Sequence, residues 1–212
     1  LKNDADACAI AEWKFGNGRG CRNLVFLTFG TGMGAGLILN GRLYQGANGM
    51  AGEIGHIRMA EHGPAGYGKC GSFEGFCSGG GIAQLAYSYA VEGVQRGSCP
   101  AYFLQGMRPE EVTAQTVAQA AAAGDETALK AYRICGEQLG RGLSILIDLL
   151  NPERIILGSV YARAEALLRD TTLEIVRRET LERSRLACKV LPAGLGEKLG
   201  DYAALAAAIR ED

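Results

Sequence analysis

The 212-residue chain is 48% hydrophobic and 21% charged, with a formal net charge of −1. That balance supplies enough apolar surface for one large domain or two small ones. It excludes a general electrostatic pull toward nucleic acid or an anionic membrane, so any phosphate contact has to be local. No apolar run reaches transmembrane length, and the opening Leu1-Lys2-Asn3-Asp4 is not a signal peptide. Seven cysteines, an odd number scattered without a CxxC pair, read as reduced thiols of a cytoplasmic protein. The chain opens without an initiator Met and enters a helical pattern at once, so further sequence upstream is expected.

In chain order, residues 5–15 are Ala-rich with apolar spacing at Cys8, Ala11 and Phe15, which predicts a helix capped by Asn3 or Asp4. Residues 23–30 form a short apolar run suited to a buried strand, and 34–43 a second, with Asn40-Gly41 as a hairpin turn before Arg42. A helix is expected over 81–94. Pro109-Glu110-Glu111 reads as a helix start, Gly124-Asp125 as punctuation, and 126–150 as one long helix with Leu139, Leu143, Leu146, Ile147 and Leu150 on its apolar face. Asn151-Pro152 ends it. A strand over 154–158, helices around 162–168 and 171–182, a strand at 187–191 and an Ala-rich helix over 201–210 complete the chain. Alternating strands and helices predict an α/β fold with a mixed sheet.

Two glycine-rich stretches carry the chemistry. In Gly30-Thr31-Gly32-Met33-Gly34-Ala35-Gly36 the alternating glycines let backbone N–H groups converge on an anion. A tight hairpin between buried strands demands glycine equally well. The stretch is neither a Walker A loop, lacking the Gly-Lys-Ser/Thr step, nor a dinucleotide fingerprint, because a strand follows it. In the second stretch Glu53 and His56 stand three residues apart. They suit recognition of hydroxyl groups, and they suit equally a solvated carboxylate and a backbone-bonded imidazole.

Three segments resemble the ROK (repressor/ORF/kinase) family in the family's own order: NDADA at 3–7, FGTGMGAGLILNGRLYQGANGMAGEIGH at 29–56, and NPERIILG at 151–158. The resemblance implies the actin-like ATPase (hexokinase/ribonuclease H-like) fold, with this chain as its large C-terminal domain. It implies an ATP- and Mg²⁺-dependent kinase for a hexose such as glucose, fructose or an N-acetylated hexosamine, working as a homodimer. By this resemblance Asp4 is the general base, and Asn3, Glu53, His56 and Glu74 bind the sugar. Gly30, Thr31, Gly32 and Gly34, with Gly158 and Ser159, meet the nucleotide; Ser159 replaces a second glycine usual there. On residue type alone Asp4 reads as a helix cap.

Many members of the family carry a cysteine cluster that binds a structural zinc. Here the matching stretch is GPAGYGKCGSFE at 63–74, with Ala65, Tyr67 and Ser72 at the cysteine positions and Cys70 out of register. No metal site is therefore expected, and packing around Tyr67 and Phe73 is expected to brace Glu74. The family's Asp-x-Gly-Gly-Thr loop is absent, so residues 1–200 are expected to form the C-terminal kinase domain. Residues 201–212 are expected to pack on a missing N-terminal domain. The second reading is a sugar-responsive transcriptional repressor of the same family, for which a DNA-binding module would precede this chain.

Overall fold

The computed structural model describes residues 4–208. Helix α1 (Asp4–Phe15) precedes strands β1 (Leu24–Phe29), β2 (Met33–Leu39) and β3 (Arg42–Tyr44). A 3₁₀ turn (Ile54–His56) leads to a small hairpin of β4 (Ala65–Gly66) and β5 (Lys69–Cys70), then α2 (Phe73–Phe76) and α3 (Gly79–Gln95). Helices α4 (Ala114–Ala122) and α5 (Glu126–Leu150) lead to β6 (Arg154–Leu157), α6 (Ser159–Arg163), α7 (Glu165–Glu179) and α8 (Glu182–Ala187). Strand β7 (Lys189–Pro192) and α9 (Leu199–Ala208) end the described chain.

Five strands make a mixed sheet in the order β3-β2-β1-β6-β7. β1 and β2 pair antiparallel, Leu24 opposite Ile38 and Phe29 opposite Met33. β6 lies parallel to β1 and β7 parallel to β6. The uninterrupted apolar sequence of β1 follows from burial on both faces. Leu24 and Phe26 join Ala9, Ile10, Ile38, Ile156 and Ala206 in a layer under α1 and α9. The alternate residues Val25, Leu27 and Phe29 enter the larger core with Leu139, Leu143 and Leu168.

Local signals set the long helix. Asp125 accepts from the N–H groups of Thr127 and Ala128, and Asn151, in the left-handed region at φ 44°, ends it ahead of Pro152. Two expectations are corrected. Pro109-Glu110-Glu111 makes a single 3₁₀ turn only, because Val112 is buried with extended backbone and Thr113 caps a new helix. The helices expected at 162–168 and 171–182 are broken instead at Ala164, whose backbone leaves the helical region at φ −119° and ψ 23°, and Glu182–Ala187 is a helix of its own before β7.

Helix α9 lies on α1, burying Ala203 and Ala206, with Tyr202 and Phe15 ring centroids 5.3 Å apart. Leu205 on the same helix is exposed. Docking of residues 201–212 on a further domain concerns a surface outside this chain, and residues 209–212 lie outside the described residues. All seven cysteines are free thiols. Burial pushes Cys8 up to about 11 and Cys188 up to about 12, so both stay protonated at neutral pH. Among the described residues no helix is long and apolar enough to cross a membrane.

α1 sits flat on β2 because Gly36 has no side chain: a Cβ there would collide with the Ala5 carbonyl and the Ala9 methyl. Gly36→Ala is expected to lift α1 and destabilise the fold by about 1–3 kcal/mol, read from urea unfolding. An unchanged midpoint would show that the helix yields without loss.

Candidate active site

The turn between β1 and β2 is closed by its own backbone, Gly30 N–H donating to the Gly32 carbonyl at 3.1 Å. Below it, Thr28 Oγ1 accepts from Gly34 N–H at 2.8 Å and donates to the Gly34 carbonyl at 3.2 Å. Gly34 is thus a strand residue whose N–H is already taken, which leaves the turn itself to Gly30, Thr31 and Gly32. Two further segments meet this turn. Gly79 N–H at the start of α3 donates to the Gly30 carbonyl at 2.8 Å, and Ser78 caps the helix by accepting from Gly81 N–H. Ser159 Oγ, just past β6, donates to the Phe29 carbonyl at 3.1 Å, and Gly158 N–H to the Leu27 carbonyl at 2.9 Å.

These contacts gather at the carboxyl ends of the parallel pair β1 and β6, where open α/β sheets place their ligand crevices. Gly30 and Gly80 have open surroundings, while Gly32 lies against the Glu74 carboxylate. A Cβ on Gly30 would meet only Ser159 Oγ at 3.8 Å, and one on Gly80 nothing nearer than 3.9 Å. Backbone that is glycine without packing pressure is what a cradle for phosphate oxygens needs. The residues present therefore fit a nucleotide's phosphates.

The second stretch is folded onto β2. Ala35 N–H donates to the Gly52 carbonyl at 2.8 Å, and a Cβ on Gly52, at φ +94°, would collide with the Ala35 carbonyl. Gln45 Nε2 donates to Asp6 Oδ2 at 3.0 Å, which fastens the start of this loop to α1. The 3₁₀ turn that follows buries Ile54 and leaves His56 exposed. Glu53, His56 and Glu74 then line one cavity of about 230 Å³ with Met33, Met50, Gly55 and Tyr67. Glu74 also reaches the glycine turn: its Oε2 accepts from Met33 N–H at 2.9 Å, and a Cβ on Gly32 would stand 2.9 Å from the same oxygen.

Glu74 rides on α2, whose cap is Ser72: the hydroxyl accepts from Gly75 N–H at 3.0 Å and donates to the Gly66 carbonyl at 3.4 Å. Phe73 is fully buried, its ring lying where Gly142 on α5 has no side chain. The β4–β5 hairpin is held from α3 by the Gln84 amide, which bonds both the N–H and the carbonyl of Ala65 at 2.9 Å. Phe73 packs as expected. Tyr67 does not: at the hairpin tip it is 90% exposed, and hydrogen bonds from Ser72 and Gln84 do the bracing.

Asp4 is exposed at the N-terminus of α1 and is not among the cavity's lining residues. Its neighbour Ala5 lies 3.9 Å from where a Cβ of Gly34 would be, so the helix start faces the sheet end that carries the turn. Asn3 lies outside the described residues.

The family model of ROK proteins matches residues 1–211. The chain belongs to the ROK family. The glucokinase of Halalkalibacterium halodurans is 37% identical over 166 residues, which are 77% of this chain and 49% of that protein. The DNA-binding transcriptional dual regulator NagC of Escherichia coli is 27% identical over 92% of this chain and 46% of its own length. This ROK chain thus spans about half the length of those curated relatives. The structure of a ROK family glucokinase from Streptomyces griseus in complex with glucose and AMPPNP superposes with a TM-score of 0.81 at 30% identity, over 96% of this chain and 66% of that one. The fold is the actin-like ATPase fold.

Within the ROK family the zinc cluster does not fit this chain. Ala65, Tyr67 and Ser72 offer no nitrogen or thiolate where the cysteines would be, and Cys70 is an exposed residue of β5. Tetrahedral zinc needs four such ligands, and among the described residues no three His, Cys, Asp or Glu side chains are grouped to hold a metal ion.

Three features of the site lie outside what the sequence predicts. Three successive glycines hid the start of α3 at Gly79, though Ser78 ahead of them is a cap signal. Tyr67 entered the cavity unannounced, and the Asp6–Gln45 bond joins residues 39 apart. Hydrogen bonds from Ser72 and Gln84 hold the hairpin and the start of α2. Chelator washing is expected to leave the melting temperature unchanged and elemental analysis to find no tightly held zinc, whereas Ser72→Ala is expected to lower stability by about 1 kcal/mol. About one zinc per chain after washing would overturn this.

Proposed function

We propose that this ROK chain is the sugar- and nucleotide-binding lobe of an ATP-dependent hexose kinase. The observation that carries the reading is the convergence of Glu53, His56 and Glu74 on one cavity, with Glu74 bonded to the Met33 N–H that follows the glycine turn. A hexose offers a ring of hydroxyls, each both donor and acceptor; two carboxylates accept from them and an imidazole does either. The acceptor hydroxyl is held between this cavity and the turn. Asp4 takes its proton as general base, and Asn3 holds a neighbouring hydroxyl. Gly30, Thr31 and Gly32, with Gly158 and Ser159, bind the nucleotide, and Gly34 supports the turn from β2. ATP with Mg²⁺ supplies the phosphoryl group and the cation that neutralises its oxygens. The complete protein works in the cytoplasm as a homodimer.

The similarity to NagC supports a second reading, a sugar-responsive regulator. Asp4 and the intact glycine turn favour the kinase, since a sensor needs neither. The upstream sequence decides between them: an Asp-x-Gly-Gly-Thr loop belongs to the kinase, a helix-turn-helix to the regulator.

In the complete protein Asp4→Asn is expected to lower kcat roughly 10²–10⁴-fold, the range for loss of a general base. Nucleotide affinity and melting temperature should stay as they were. Wild-type kcat with a lowered melting temperature would make Asp4 a helix-terminus residue and no more.

Residues 1–212 alone are expected to fold, because both faces of the sheet are covered, and to show no turnover. Phosphoryl transfer depends on positioning and charge stabilisation from both sides of the transferring group. A coupled assay beside the complete protein checks this; turnover within roughly tenfold, about 1.4 kcal/mol of barrier, would refute it.

A further inference from the structure

Tyr67 stands out in the molecule as a large aromatic residue that is 90% exposed and in the left-handed region, at φ +46°. Pairing of Ala65 with Cys70 and of Gly66 with Lys69 makes Tyr67 and Gly68 the two central residues of a tight hairpin turn. With φ positive at both, +46° and +74°, the turn is of the type that takes Asn, Asp or Gly at its first position. A tyrosine there runs against its backbone preference. Core packing does not explain the choice, since the residue is exposed and its ring meets His56 only edge-on. Strained residues held by well-fixed surroundings concentrate at ligand sites, and the surroundings here are well fixed. Gln84 clamps Ala65 from α3, and Lys69 Nζ donates to the His56 carbonyl at 2.7 Å, tying the hairpin to the turn that carries His56. The Tyr67 ring stands edge-on to the His56 ring, centroids 6.4 Å apart and planes at 80°. It lines the same cavity as Glu53, His56 and Glu74.

We propose that Tyr67 is a sugar-stacking residue that selects pyranoses at this cavity. A chair hexopyranose with equatorial hydroxyls has a polar rim and faces that present only C–H groups. The rim suits two carboxylates and an imidazole; a face suits an aromatic ring, whose π-surface takes C–H groups while the phenol stays in water. A furanose ring is smaller and puckered, with hydroxyls projecting above and below, and offers no such flat face. Tyr67 therefore adds affinity for D-glucose and its equatorial relatives over a furanose such as that of D-fructose.

The proposal rests on the cavity being the sugar site, and its test separates the two. Calorimetry on the complete protein measures the dissociation constants of D-glucose and D-fructose for wild type, Tyr67→Gly, Tyr67→Asn, Tyr67→Phe, His56→Ala and Glu74→Gln. Tyr67→Gly and Tyr67→Asn are expected to weaken D-glucose binding roughly threefold to tenfold, the worth of one aromatic contact, and to reduce the preference over D-fructose by the same factor. Their melting temperatures should not fall, because both residues accept the left-handed backbone. Tyr67→Phe should restore the affinity. Unchanged binding in the Gly and Asn variants, while His56→Ala and Glu74→Gln weaken it, overturns the stacking role and leaves the cavity as the sugar site. Loss of affinity only together with a lowered melting temperature makes Tyr67 structural and overturns it too. No effect from any variant removes the sugar site from this cavity, and the proposal with it.

Discussion

One hydrogen bond joins the two halves of the site: Glu74 Oε2 accepting from Met33 N–H. A bond from a backbone amide to a carboxylate contributes about 1.5–3 kcal/mol, more than a neutral pair. Its greater effect is geometric. Met33 is the first residue of β2, so the bond fixes a cavity carboxylate to the end of the turn formed by Gly30, Thr31 and Gly32. Gly32 permits it, since any Cβ there would crowd the carboxylate. A sugar bound at Glu74 and a phosphate bound at the turn would then share one rigid reference, which is what transfer between them requires.

The same economy of position governs α1. Its first half is pressed to β2 at Gly36, and its C-terminal end is held by Glu12, a fully buried carboxylate. Both of its oxygens are used, Oε2 by Asn17 N–H at 2.8 Å and Oε1 by Leu195 N–H at 2.9 Å. A buried charge satisfied in this way is tolerable, and one left unpaired is not. Asn17 in turn donates to the Pro192 carbonyl at 2.9 Å. The chain after β7 is thus bound to the end of α1, and Asp4 at the other end is carried on a helix with little freedom to tilt.

What the sequence made legible, and what it hid, follows from how local each signal is. Helix α5 was readable to the residue, because its cap Asp125, its apolar spacing and its Asn151-Pro152 stop all lie within the segment. β1 and β2 were readable because burial on both faces leaves a continuous apolar run. The break at Ala164 was not, since no glycine, proline or capping side chain stands at that position to mark it. Nor was the two-residue strand pair at 65–70, whose support comes from Gln84 across 19 residues. Glu53, His56 and Glu74 were recognised by resemblance to a family, and their meeting depends on folding the loop after β3 back over Ala35, which no periodicity announces.

The replacement of cysteines at 65, 67 and 72 changes what holds the hairpin. A structural zinc site would supply on the order of 10 kcal/mol in one place. Here the hairpin is held by separate hydrogen bonds, each worth about 1 kcal/mol. Such a brace works only if its anchors are rigid, and the anchor is the beginning of α3. Gln84 grips Ala65 there, and Gly79, five residues earlier and about 7.5 Å away along the axis, donates to the Gly30 carbonyl. The hairpin bearing Tyr67 and the turn bearing Thr31 are therefore set from the same two helical turns. A displacement of α3 would move both together, so their spacing survives motions that would separate loops anchored on different elements.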